Sequence, residues 1–163
     1  MDLLSHIPDN ITEVLVKILQ FTELRRGTLN GNIRGMDTPG YIPRDLPVIE
    51  FADLLHVAIG EHLQHHRLLF RDTANITFGN GGTMRIHPVA DDQARTLLQT
   101  NPDEYMNLQI NRLVENSLNW QVAQELMRRH SGTARVLPRL DCDNAAATDT
   151  FPEDQPSRPA ATE

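Results

Sequence analysis

The sequence predicts a mostly α-helical protein. Two long helices, one at each end of the ordered chain, pair as a coiled-coil-like core around an irregular or small β-hairpin middle, and a disordered C-terminal tail follows. Three observations lead there. Apolar residues recur at helical spacing over residues 9–33 and 103–130. Prolines 39, 43 and 47 forbid helix between the first long segment and the rest. Beyond residue 132 the composition collapses into Pro, Ala, Thr, Asp and Glu, which cannot bury a core. Residues 1–35 and 103–131 therefore form the helical core, 36–102 an extended arm and small middle region, and 132–163 an acidic tail.

In the first helix Asp9 or Asn10 can cap the start, and Glu13 lies in the first turn, where the backbone dipole favours an acid. Ile11, Val14, Ile18 and Phe21 step by three and four, widened by Leu15 and continued by Leu29 and Ile33. Arg25-Arg26-Gly27-Thr28 is the weak point, since an interior glycine costs about 1 kcal/mol. Gly35 supplies a stop. Thr38-Pro39-Gly40-Tyr41 places proline then glycine at the centre of a turn, the type II pattern. Asn32 and Asp37 are suited to satisfying free backbone groups there, and Tyr41 to packing at a half-wet contact.

Residues 50–70 read as a helix with Phe51, Leu54, Leu55, Ala58, Ile59 and Leu63 on one face. Asn75–Phe78 and Thr83–Ile86 flank Gly79-Asn80-Gly81-Gly82 and read as a short hairpin or flexible loop. Asp91–Gln99 reads as a short helix, with Asp91-Asp92 at its N-cap. The second long helix starts at Pro102-Asp103-Glu104. Met106, Ile110, Leu113, Ser117, Trp120, Gln124 and Met127 form a seam of about 3.5 residues per turn. Val114, Leu118, Val122 and Leu126 lie beside it, more apolar surface than one partner helix covers, which predicts burial of part of it between subunits. Each long helix would span about 35–40 Å at a 1.5 Å rise.

The charge is −7 overall, of which Asp141–Glu163 carries −5 through six acids and one arginine. The near-neutral body offers no basic patch for nucleic acid. The single Cys142 allows no intrachain disulfide, and the start of the chain shows no secretory signal pattern. His56, His62, His65 and His66 invite a metal reading, with His62 and His66 at i and i+4. No cysteine or acid completes a known ligand pattern, so a solvated helix face is the better account. Gly79–Gly82 lacks the Gly-Lys-Ser/Thr of a phosphate loop. A small metal-dependent hydrolase using the histidines, and a soluble helical adaptor, are the rival readings from other classes.

The stretch Leu29–Tyr41 resembles the signature of the flagellar basal-body rod and hook proteins, a terminal helix running into an Asn-Ile-Ala-Asn-like segment and a turn. Here it reads Asn32-Ile33-Arg34-Gly35-Met36-Asp37-Thr38-Pro39-Gly40-Tyr41. The turn followed by Arg44-Asp45-Leu46 is similar to the proximal rod branch, and so is Leu113-Val114-Glu115-Asn116-Ser117-Leu118-Asn119-Trp120-Gln121-Val122. The matching segments cover roughly residues 9–55 and 104–130. The chain departs from the family pattern at Gly35, Asn107, Gln109 and Trp120 and in its acidic extension.

The resemblance implies a structural subunit, not an enzyme, with no cofactor, metal or small-molecule substrate. It would leave the cell through the flagellar type III apparatus without a cleaved signal. It would polymerise helically into the rod that crosses the periplasm and transmits torque. Its partners would be further copies of itself, the C-, F- and G-type rod proteins, a membrane-ring adaptor and the export gate. Asn32, Ile33, Asp37, Thr38, Pro39, Gly40 and Tyr41 would form the assembly turn. Ile11, Val14, Ile18, Phe21, Leu113, Asn116, Leu118, Trp120 and Met127 would form the helix interface. A C-type rod subunit is the alternative within the family.

Overall fold

The computed structural model describes residues 10–130; the expected Asp9 cap and the acidic tail lie outside the described residues. Helix α1 runs Asn10–Gly35, β1 is Arg44–Asp45, α2 Val48–His65, β2 Ile76–Phe78, β3 Met84–Ile86, β4 Val89–Ala90, α3 Asp92–Thr100 and α4 Pro102–His130. The two long terminal helices, the hairpin middle and the short third helix all stand where the sequence placed them.

Helix α1 is the centre of the fold. Helix α4 lies along it in antiparallel sense. Gln109 meets Asn32, Asn116 meets Thr22, and Leu126 shares a cleft with Ile11 and Leu15. Helix α2 and the β2–β3 hairpin cover a neighbouring face, again antiparallel. Phe51 stacks on Phe21 with ring centroids 4.0 Å apart, and the Asn10 amide nitrogen lies 2.9 Å from His62 Nδ1. Helix α3 packs on α4. The apolar core is small: Phe21, Leu46, Phe51, Leu54 and Ile76, backed by Ile18, Val48, Phe70, Phe78 and Met84. Each such side chain, fully buried, is worth about 1.5–3 kcal/mol.

Helix α1 passes unbroken through Gly27. Beyond Gly35 the expected type II turn forms, with Gly40 at φ +76° and the Tyr41 amide donating to the Thr38 carbonyl at 3.1 Å. The chain then folds back as an arm. Its β1 pairs antiparallel with β4, Arg44 opposite Ala90 and Asp45 opposite Val89. This two-residue ladder has no alternation long enough to be read from sequence. Strands β2 and β3 pair Ile76 with Ile86 and Phe78 with Met84, as a hairpin should. Asp91 caps α3 by accepting from the Ala94 amide at 3.0 Å.

Three expectations require correction. Helix α2 begins at Val48 and ends at His65, not over 50–70. Pro47 precedes its first turn, where a missing amide costs nothing. His66 ends it in a left-handed conformation at φ 54°. Of its assigned face, Phe51, Leu54 and Ala58 are buried, but Ile59 and Leu63 are exposed. On α1, Phe21 is buried and Val14 and Ile18 are half-buried, whereas Ile11 is exposed. The face against α4 is Leu15, Thr22, Arg25, Leu29 and Asn32.

The third correction concerns α4. Its buried residues are Tyr105, Gln109, Asn116 and Ala123, a heptad rotated by one residue from the expected apolar seam. The cause is chemical. The opposing α1 face carries Thr22, Arg25 and Asn32, whose buried polar groups need donors and acceptors. Gln109 accepts from the Asn32 amide and Asn116 donates to the Thr22 carbonyl, bonds an apolar seam would not make, while Arg25 is met by Asp45 and the Thr22 hydroxyl by its own helix. Leu113, Trp120 and Met127 fall at the flank, half-buried, and Leu118 faces outward.

Candidate functional site: the joint between helix pair and arm

The turn and arm after α1 are held to both long helices by one buried polar cluster. Its centre is Asn32, with no solvent exposure. The Asn32 amide nitrogen donates to the Arg44 carbonyl at 2.7 Å and to Gln109 Oε1 at 3.0 Å. Its Oδ1 accepts from the Arg44 amide at 3.0 Å and from the Tyr41 hydroxyl at 3.1 Å. One side chain thus ties α1 to the arm twice, to the turn once and to α4 once. The Asn32 carbonyl accepts from the Tyr105 hydroxyl at 2.9 Å.

Tyr41 reaches Asn32 by lying across the last turn of α1. Its ring passes so close to Gly35 that a Cβ there would stand 2.3 Å from Cε2. Glycine at 35 therefore makes room for the ring. Burial raises the Tyr41 hydroxyl above its ordinary range, opposed by Arg44. Tyr105 is pushed up to about 12, first by burial and then by the nearby Tyr41 and Asp91 groups.

A chain of alternating charges runs beside this cluster. Arg25 grips Asp45 with two bonds, Nε to Oδ1 at 3.0 Å and Nη2 to Oδ2 at 2.9 Å. Asp45 also accepts from the Leu46 amide at 2.8 Å and lies 3.8 Å from Arg112. Arg112 pairs in turn with Asp91, the cap of α3. The sequence α1–arm–α4–α3 is thereby linked by two arginines and two aspartates. Forked guanidinium pairs of this kind fix orientation as well as distance. Further along, the Asn116 amide donates to the Thr22 carbonyl at 2.7 Å and pins α4 to α1.

The sequence-predicted site residues divide accordingly. Asn32, Tyr41 and Asn116 enter the buried contacts; Ile33 is half-buried beside them. Asp37, Thr38, Pro39 and Gly40 are exposed at the turn and shape it through the backbone. The joint also depends on Arg25, Asp45, Tyr105, Gln109 and Arg112, none of which periodicity singled out. The only trace was Asp45 within the quoted Arg44-Asp45-Leu46 and Gln109 among the departures.

Outside the joint, α4 presents Ile110, Val114, Leu118, Val122 and Leu126 at strict four-residue spacing, each 45–58% exposed. At 1.5 Å per residue Ile110 to Val122 spans about 18 Å; the four-residue step drifts round the helix, so Leu126 ends in the cleft with Ile11 and Leu15. Among the described residues, no group of three or more His, Cys, Asp or Glu side chains is placed to hold a metal ion. The His62 and His66 rings meet edge to face at 6.3 Å. Among the described residues no helix is long and apolar enough to cross a membrane. No family model, curated protein or solved structure matches the chain.

Proposed function

We propose that the chain is a structural subunit of the bacterial flagellar rod, of the proximal B type, and performs no catalysis. The observation that carries this reading is the outward apolar row of α4. Outward apolar side chains in a row offer a neighbouring subunit an association surface, and this row occupies the middle of a long helix. A helix pair that turns polar groups inward and an apolar row outward stays stable as a monomer through hydrogen bonds and gains from neighbours. Burying the exposed half of four such side chains is worth roughly 4 kcal/mol per contact. Repeated contacts of this kind make a polymer.

The joint fits the same task. A subunit in a torque-bearing tube needs its outer part fixed to its core helices without a soft linker, and Asn32 with the Arg25–Asp45–Arg112–Asp91 chain does that here. The residues that resemble the rod family, Asn32, Tyr41 and Asn116, are those that close the joint and the helix pair. In this reading the chain is exported unfolded through the flagellar type III apparatus and works in the periplasmic rod. Its neighbours are copies of itself, C-, F- and G-type rod proteins, the membrane-ring adaptor and the export gate. Deletion of the gene, followed by swimming assays and electron microscopy of basal bodies, tests it. Loss of motility with rodless basal bodies is expected; a motile strain with normal rods refutes the assignment.

A further inference from the structure

The chain has one lysine, Lys17, and it is 2% exposed. A buried ammonium normally faces a carboxylate. Among the described residues, Lys17 has no carboxylate within ion-pair distance. Its Nζ donates to the Gly82 carbonyl at the tip of the β2–β3 hairpin and lies 5.6 Å from the centre of the Phe78 ring. The field of Glu13, one turn back on α1, favours the charge, but loss of water outweighs it and lowers the affinity of the amine for its proton. Arg85, exposed on β3, is the charged residue of the hairpin strands.

The element covering this charge is slight. Strands β2 and β3 contribute three residue pairs, and the tip holds Gly81 and Gly82 at φ +73° and +76°. Glycine pays the largest entropic cost when a loop is ordered, so such a tip is cheap to lift. Below it the chain is better anchored, by Ile76 in the core and by Asn75 donating to Glu50 at 3.0 Å and 2.8 Å. These anchors leave the tip as the part free to move.

We propose that the hairpin tip is a flap over a strained seat: the Lys17 ammonium, buried without a carboxylate, favours lifting, which returns it to water. Phe78, half-buried at the end of β2, stays stacked on Phe70 at 5.2 Å and ties the base of the flap down. This does not depend on the rod reading, since it concerns only the hairpin and α1.

The test uses the full chain. Lys17→Met keeps the length of the side chain and removes the charge, so hydrogen exchange at the Gly79 amide, which bonds the Thr83 carbonyl at 2.9 Å, should slow by about tenfold. Exchange in α1 and α4 should stay unchanged. Faster exchange at Gly79 in this variant would overturn the proposal, because the ammonium would then be the clamp. Independently, acylation of the unmodified protein by an amine-directed ester reports opening at its only lysine. Gly82→Ala, strained at positive φ, should speed labelling of Lys17 several-fold. Unchanged labelling in Gly82→Ala, or labelling in the unmodified protein as fast as a free lysine, would refute the flap.

Discussion

Replacing Asn32 with alanine removes the four side-chain hydrogen bonds that join α1 to the arm, the turn and α4. The cost follows from what is left behind. The Arg44 amide and carbonyl and the Gln109 and Tyr41 side-chain groups lose their shared partner at a site closed to water. A buried polar group deprived of its partner costs about 1–3 kcal/mol. Tyr41, half-buried, can recover a bond to water, while Gln109 and the Arg44 backbone groups have less access to it. We therefore expect a loss of about 3–4 kcal/mol, a large share of the 5–15 kcal/mol typical of a domain. Urea unfolding followed by circular dichroism measures it, with Asn119→Ala on the exposed face of α4 as the control within about 0.5 kcal/mol. The slope against denaturant should be unchanged, so that the midpoint carries the effect. A loss under 1 kcal/mol for Asn32→Ala would sink the reasoning that this residue centres the joint.

Other outcomes follow from the same geometry. Gly35→Ala sets a methyl against the Tyr41 ring and should destabilise by about 1–3 kcal/mol; in a double-mutant cycle with Tyr41→Ala most of that penalty should vanish, and strict additivity would contradict the contact. Tyr105 has its hydroxyl raised in the folded state, so the folded protein keeps that proton after the unfolded chain has released its own. Stability should accordingly fall as pH climbs from about 10 toward 12. Tyr105→Phe should flatten that fall in unfolding measured at several alkaline pH values, and an identical profile would remove Tyr105 as its source. Leu118→Arg on the outward row should leave thermal unfolding of the monomer within about 0.5 kcal/mol while abolishing concentration-dependent association in sedimentation experiments. If it unfolds the monomer instead, the row is core and not interface.

Much of the architecture was legible in the sequence, and for local reasons. Helix periodicity, the Pro39-Gly40 turn, the glycine-rich hairpin tip and the Asp91 cap are each decided by residues within a few positions of one another. The seam residues Met106, Leu113, Trp120 and Met127 together with Val114, Leu118, Val122 and Leu126 also announced more surface than one partner helix could cover. The candidate site was legible only in outline. Asn32 and Tyr41 stood out as turn residues, but their bonds reach 77 and 9 positions along the chain, and no short-range pattern encodes the longer of these.

By itself the sequence determined that α1 and α4 are long helices and that their apolar surface is wide. Which way α4 turns was decided only in the tertiary structure. Its strongest apolar stripe would have been the default inner face. The Asn32 side chain and the Thr22 carbonyl on α1 are polar groups whose burial unpaired costs more than leaving leucines and valines wet. Gln109 and Asn116 therefore turn inward, and the apolar row is left outside. Burial of a lysine under the hairpin was likewise invisible along the chain, because exposure is a property of what packs above Lys17, 65 residues away at Gly82.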